Sequence, residues 1–141
     1  MIDIESKIVD TVFNAVRTAY PNADVTTGYD EKTAVFPCVV VYETNNAPYR
    51  RGNTDDCAEN YTRLTYDVSV YTNNENSAKT DGKKILALVD EALQGLKFRR
   101  IHKNRPLNIN RTVFRQYGRW EVIVSKPITV GETTVYQMYR R

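Results

Sequence analysis

The side chains that could carry out acid–base or nucleophilic chemistry are few in this chain of 141 residues. His102 is the only histidine, and no cysteine or acid stands at a fixed spacing from it that would indicate a general base or a metal ligand. A surface position among arginines is the simpler interpretation. No glycine-rich phosphate loop occurs, and neither does a Ser-His-Asp or Cys-His pattern. The sequence therefore predicts no catalytic residue, no cofactor and no enzyme activity.

Metal binding is the next possibility that the residue types raise. Asp55, Asp56 and Glu59 could hold a divalent cation through their carboxylates, but an acidic loop in solvent is the favoured interpretation. Two cysteines and one histidine are too few for an obvious zinc site. Cys38 lies in the apolar run FPCVVVY, which predicts a buried small residue. We therefore expect no metal site.

A long basic run is the most distinctive feature of the sequence. Residues 99–120 contain seven Lys or Arg residues and no acid, and residues 92–120 contain eight with no acid. The other segments hold twelve basic and seventeen acidic residues. Such uneven charge suggests either a polyanionic partner or self-association of a positive patch with a negative one.

Three interpretations of the basic run stay open. It could be a solvated outer face, or a nucleic-acid surface on which Tyr61, Tyr71 or Tyr117 stacks on bases. It could also be a head-to-tail protein interface that meets the acidic loop of an identical neighbour, since Tyr and Arg are favoured at interfaces. The residues that we predict at a subunit or partner interface are Arg50, Arg51, Asp55, Asp56, Glu59, Arg99, Arg100, Arg115, Tyr117, Arg119, Arg140 and Arg141.

The first half of the chain must position these residues with one helix and two strands. Apolar residues at helical spacing predict a helix over residues 3–19, with Asp3 as N-cap and Pro21 after its end. Residues 36–43 predict a central strand that is apolar on both faces. Residues 44–60 lack a hydrophobic period and predict a long loop. Strict alternation in TRLTYDVSVYT predicts a second strand.

The second half predicts one helix followed by strands. Ser77 is the expected cap of a helix that ends near Gly95. Residues 97–103 and 112–125 predict strands, and the second strand puts Arg115, Tyr117 and Arg119 on one side. A C-terminal hairpin is expected over residues 112–140. The order α-β-β-α-β-β-β predicts a single α+β domain over residues 1–141, in which two helices pack on one face of a largely antiparallel sheet.

Composition bounds the environment of the protein. Charged residues make up 26% and hydrophobic residues 41%, as in ordinary soluble domains. No apolar run is long enough to span a bilayer. The first residues, MIDIESKIVD, do not have the form of a signal peptide. We expect a protein without a membrane partner that stays in the cytosol where it is made.

The order of these segments is similar to that of a known family. The segment MIDIESKI begins a helix that ends in AYP. The strands FPCVVVYE and LTYDVSVYTN then flank a polar loop that contains YRR. The helix GKKILALVDEAL is followed by a basic segment with RPLNI and by a hairpin that ends in VYQMYRR. The chain resembles the tail-terminator or tail-completion (minor capsid, head–tail joining) proteins of long-tailed bacteriophages. The hairpin segment PITVGETTVYQ is longer than this family leads us to expect.

The resemblance implies a structural virion protein of the tail or neck, with a small α+β fold and no catalytic residues. Such proteins form a homohexameric ring at the head-proximal end of the tail tube, stop tube polymerisation and present a surface to the head-side connector or stopper. The partners implied are other copies of the chain, the tail tube protein and the connector. DNA passes through the ring without specific binding, and assembly takes place in the cytoplasm of the host bacterium. On this interpretation the loop 44–60 would be an arm that reaches a neighbour.

The ring also predicts where the arginines face. A channel wall rich in arginine would bind the phosphates of passing DNA and slow it. We therefore expect Arg99, Arg100, Arg115 and Arg119 to face neighbouring protein, and we expect reversal of Arg115 and Arg119 to Glu to abolish capping while the monomer stays folded. A head-closure or neck connector protein and a small nucleic-acid-binding module are the alternative functions.

Overall fold

The two helices form where apolar residues recur at helical spacing. The computed structural model describes residues 2–28, 35–49, 61–74, 76–104, 107–108, 113–130 and 133–139. Its elements are α1 (Glu5–Ala19), β1 (Asp24–Thr26), β2 (Cys38–Pro48), β3 (Tyr61–Thr72), α2 (Ala78–Gly95), β4 (Arg99–Lys103), β5 (Leu107–Asn108), β6 (Phe114–Ser125), β7 (Ile128–Val130), β8 (Thr133–Val135) and β9 (Met138–Tyr139). Neither α1 nor α2 is long and apolar enough to cross a membrane.

The helix ends follow the predicted signals with small shifts. Helix α1 begins at Glu5, and Ile4 occupies the N-cap position without a side-chain hydrogen bond. Asp3 still serves the first turn, because its Oδ1 accepts a hydrogen bond from the backbone N–H of Glu5 at 3.0 Å. Ser77 stands at the N-cap position of α2, as predicted, and its hydroxyl donates to Asp81 Oδ2 at 2.9 Å.

The strands form one seven-stranded sheet with the central order β1-β2-β3-β6-β4, and β5 and β9 also pair with β6. All of its pairs are antiparallel except β1 with β2. Strands β7 and β8 form a separate hairpin. The prediction of an α+β fold with two helices on one face of a largely antiparallel sheet is confirmed.

The hydrophobic core lies between the helices and one face of this sheet, the helix face. Alternate residues of β2, β3 and β6 point into it, and Trp120, Tyr66 and Phe98 are its largest fully buried side chains. Trp120 lies close to Gly118: a Cβ atom at residue 118 would stand 2.7 Å from one carbon of the indole ring and 3.0 Å from another. Any larger residue there would force the buried indole ring to shift, which favours glycine.

The predicted loop 44–60 is wrong for its first part. Strand β2 continues to Pro48, and the backbone N–H of Tyr49 still donates to the carbonyl of Tyr61 at 2.8 Å. Pairing with β3 holds this stretch extended although it has no hydrophobic period, with a bulge at Thr44. Residues 50–60 lie outside the described residues. The short strand β1 was not predicted, because three residues show no period.

The C-terminal hairpin of residues 112–140 needs a correction as well. The chain does return antiparallel to β6, with Met138 and Tyr139 opposite Val124 and Ile123. However, the returning strand β9 has only two residues, and the β7–β8 hairpin is inserted before it. One predicted hairpin is therefore two nested ones.

Candidate functional site

The face of the sheet opposite the helices carries most of the predicted interface residues that the structure describes. We call it the open face, since neither α1 nor α2 packs there. Arg115, Tyr117 and Arg119 of β6 lie on it, directly opposite Tyr71, Ser69 and Asp67 of β3. The prediction that these three β6 residues share a side is confirmed.

Polar side chains are buried on the open face without a helix above them. Asp67 is 4% exposed, Ser69 1% and Glu121 7%. An arginine contacts each of them: Arg119 contacts Asp67, Arg115 contacts Ser69, and Arg63 contacts Glu121. Arginine stems can cover such groups while their charged tips stay in water. The open face is therefore an ordered polar layer, and its longest side chains have fixed partners.

Arg119 is fixed by an ion pair within the chain. Its Nε and Nη2 donate to Asp67 Oδ1 at 2.7 Å and to Oδ2 at 3.0 Å, a bidentate contact. The hydrogen bond and charge of Asp67 raise the pKa of Arg119. Because Asp67 is buried, reversing Arg119 to Glu would leave two carboxylates side by side. The expectation that such a reversal leaves the monomer intact does not fit this contact.

Arg115 is held in a different way, by a hydroxyl and two rings. Its Nε and Nη2 donate to Ser69 Oγ at 3.3 and 3.2 Å. Its guanidinium carbon lies 4.7 Å from the ring centre of Tyr117 and 6.0 Å from that of Tyr71. The ion pairs among the described residues do not include Arg115. It is a positioned cation whose charge no described carboxylate offsets.

The other two predicted arginines lie on the edge strand β4, on opposite faces. Arg99 stands opposite Glu121 on the open face, whereas Arg100 stands opposite Trp120 on the helix face. Arg100 Nη1 donates to Asp90 Oδ2 at 3.0 Å. The four arginines therefore do not form one surface, and the expectation that they face neighbouring protein stays a prediction.

Asp90 is a structural residue that the sequence interpretation missed. Its Oδ1 accepts the indole N–H of Trp120 at 2.9 Å, and Gln94 Nε2 donates to Oδ2, the oxygen that Arg100 contacts, at 2.9 Å. No sequence signal could show the contact, because its partner lies thirty positions further along the chain.

A second feature of the open face is a cleft of about 480 Å³ between Tyr49, Tyr61, Ile123 and Tyr139. The rings of Tyr61 and Tyr139 meet edge to face, with centres 6.0 Å apart. The guanidinium of Arg63 lies 5.5 Å from the ring centre of Tyr49. The cleft was not predicted, because its residues come from four separate segments: strands β3, β6 and β9, and the residue that follows β2.

Six of the nine tyrosines that the structure describes stand on the open face: Tyr42, Tyr49, Tyr61, Tyr71, Tyr117 and Tyr139. Together with Arg63, Arg115 and Arg119 they give this face the composition of residues that dominate binding at protein interfaces.

Several predicted interface residues lie outside the described residues: Arg50, Arg51, Asp55, Asp56, Glu59, Arg140 and Arg141. Within the part of the chain that the structure describes, no group of His, Cys, Asp and Glu is arranged to hold a metal ion. Cys38 is buried, as predicted, and burial, with a smaller contribution from Asp24, raises its pKa to about 11.

The comparisons with known proteins add no relative: no protein-family model matches the chain, and no curated protein matches it. The functional inference therefore starts from the residues of the open face.

Proposed function

We propose that this chain is a structural protein of a bacteriophage virion. It forms a ring at the head-proximal end of the tail tube, ends tube polymerisation and joins the tail to the head-side connector. The proposal combines the resemblance of the sequence to tail-terminator proteins with one structural observation. The open face has no packed helix and is rich in tyrosine and arginine, and on it Arg115 is held in place without an ion pair to a described carboxylate.

The charge pairing on the described surface favours a protein partner over nucleic acid. A groove for nucleic acid gains affinity from many unpaired cations that replace counterions on phosphates. Here Arg119 pairs with Asp67, Arg100 with Asp90 and Arg63 with Glu121. Such a surface favours local contacts with complementary side chains. It also suits a ring through which DNA passes without being held.

The partners of this function are other copies of the chain, the tail tube protein and the head-side connector. On this proposal the protein is part of the virion and is assembled in the bacterial cytoplasm. Arg115 and the tyrosine cleft lie on one face and at opposite ends of β6, since Ile123 is eight residues beyond Arg115. At about 3.4 Å per residue they are roughly 27 Å apart, so a partner protein can engage both at once.

Electron microscopy of tail tubes mixed with the purified protein tests the proposal. The tubes are polymerised from the tube protein encoded in the same genome. We expect the wild-type protein to form a ring at one tube end and to stop elongation. Arg115→Glu should abolish capping, because a carboxylate replaces the positioned cation, while Lys83→Glu, an exposed charge reversal on α2, should not.

Two controls make the result decisive. Arg115→Glu should change the free energy of unfolding by less than about 1 kcal/mol, as surface changes usually do. Salt-dependent binding to a generic DNA fragment, together with tubes that stay uncapped by the wild-type protein, would refute the proposal and favour a nucleic-acid-binding module.

A further inference from the structure

The sheet ends in two strand edges that no described strand covers. Strand β4 pairs only with β6, so its outer edge is free among the described strands. On the other side, β1 pairs with β2 only at Cys38, Val39 and Val40. From Val41 onward, β2 is the edge of the described sheet. Free edges expose backbone N–H and C=O groups that can pair with another chain.

The two edges carry opposite charge. All five residues of β4 are exposed, and they comprise Arg99, Arg100, Ile101, His102 and Lys103, with no acid. The edge of β2 carries Glu43, and Asp3 and Glu5 at the start of α1 lie close enough to act on it. Asn46 Nδ2 donates to the carbonyl of Ile2 at 2.9 Å, which places the start of the chain beside this part of β2. This edge is therefore locally negative.

The charged residues of the two edges also lie in the same row of directly paired residues across the sheet. Arg100 is opposite Trp120, Trp120 is opposite Tyr66, and Tyr66 is opposite Glu43. The four residues form one row across the sheet.

The next row, on the open face, runs from Arg99 through Glu121 and Thr65 to Asn45. Because each successive pair of strands is antiparallel, β4 also runs antiparallel to β2. A second copy placed beside the first without any shift along the strands would continue both rows.

We propose that the outer edge of β4 pairs with the outer edge of β2, around residues 41–45, in a second copy of the chain, so that the sheet continues from copy to copy. This inference rests on the proposed self-assembly and names the surface that joins the copies. Arg100 of one copy then stands beside Glu43 of the next, and Arg99 stands beside Asn45. The open face stays free for the tail tube or the connector.

Bulges and charged side chains keep these edges from pairing with strands indiscriminately. A bulge interrupts β2 at Thr44 and β4 at Ile101. Proteins use bulges and charged side chains to protect edges from aggregation. A basic edge rejects a second basic edge, whereas the acidic edge of β2 relieves the repulsion. The contact is head-to-tail, so it builds a ring when the rotation between copies closes.

Disulfide trapping tests the contact directly. Asn45→Cys and Arg99→Cys, combined in a Cys57→Ser chain, place two exposed thiols on the same row and face of neighbouring copies. Directly opposite residues of paired strands have Cβ atoms about 5 Å apart, within reach of a disulfide after small adjustment. Mild oxidation should give a ladder of covalent multimers on a non-reducing gel. The matched control, Asn45→Cys with Lys103→Cys, puts the thiols on different rows and opposite faces and should stay monomeric.

A second measurement does not depend on the variants. Hydrogen exchange of the wild-type protein in its assembled ring should show slowed amides in β4 and in residues 41–45, compared with the monomer. If Asn45→Cys/Arg99→Cys gives no more multimer than the control and these amides exchange unchanged while the protein still caps tubes, the edge contact is refuted and the capping function stands. If the ladder forms but tubes stay uncapped, the edge contact stands and the capping function is refuted.

Discussion

On the helix face, Trp120, Tyr66 and Phe98 are fully buried among aliphatic side chains, and Asp90 satisfies the single indole N–H. On the open face, the buried polar groups include Asp67, Ser69 and Glu121, beside apolar Cys38, Val40 and Ile123. Burial on the helix face stabilises through apolar area. Burial of the polar groups on the open face stabilises only while each of them keeps its partner. The same sheet therefore tolerates different kinds of substitution on its two faces.

The largest expected loss of folding stability comes from a substitution on the open face. Arg119→Glu should lower the free energy of unfolding by about 3 kcal/mol, because it removes the partner of a buried carboxylate and adds a like charge. We place the effect at the low end for buried pairs, since the Arg119 side chain is 40% exposed. Urea unfolding of the variant measures it. Arg115→Glu is the matched control on the same strand, and equal stability of the two variants would contradict the role assigned to Asp67.

A slightly smaller loss of folding stability is expected from a substitution on the helix face. Asp90→Ala should cost about 2 kcal/mol, because the buried N–H of Trp120 loses its acceptor. Asp90→Asn retains an acceptor oxygen and should lose less. Thermal unfolding followed by circular dichroism compares the two. A loss as large for Asn as for Ala would show that the charge of Asp90, through Arg100, matters more than the hydrogen bond.

A pH-dependent change in stability is expected from Glu43, on the helix face at the β2 edge. Burial holds the pKa of Glu43 above its ordinary value of about 4.3, so the folded state binds this proton more tightly than the unfolded state does. Stability should therefore fall as the pH rises from the ordinary glutamate pKa through the raised one, and then level off. Glu43→Gln should remove this fall. Denaturant unfolding at a series of mildly acidic to neutral pH values checks it, and parallel curves for the two proteins would contradict it.

The smallest effect concerns reactivity and leaves stability unchanged. With a pKa of about 11, Cys38 holds far less thiolate at neutral pH than an ordinary cysteine, by roughly a hundredfold. Iodoacetamide should leave Cys38 unmodified in the folded Cys57→Ser protein and modify it in urea. Mass spectrometry measures the product. Rapid labelling of the folded protein would show that the open face above Cys38 opens readily.

The sequence was a good guide wherever structure depends on local pattern. The apolar stripe of α2 and the alternation of β3 predicted both elements within a residue or two, and alternation also placed Arg115 and Arg119 on one side. Residues 44–48 could not be predicted, because their extended form comes from pairing with a strand that follows along the chain.

The partners of the site residues were harder to predict than their faces. Arg119 meets Asp67 across 52 positions of sequence, and Trp120 meets Asp90 across 30. A periodic pattern predicts the face on which a side chain lies, but it does not predict which charged group it contacts on that face. The charges of the basic run therefore looked unpaired until the sheet register showed their partners.

The burial of Trp120 gives the protein two separate optical reporters. The single tryptophan has no exposed surface and lies on the helix face, so its emission responds to unfolding and not to a molecule that docks on the other side. Most tyrosines stand on the open face, where a bound partner would alter their absorbance and their access to nitrating reagents. Loss of fold and loss of contact can thus be told apart in one unlabelled sample.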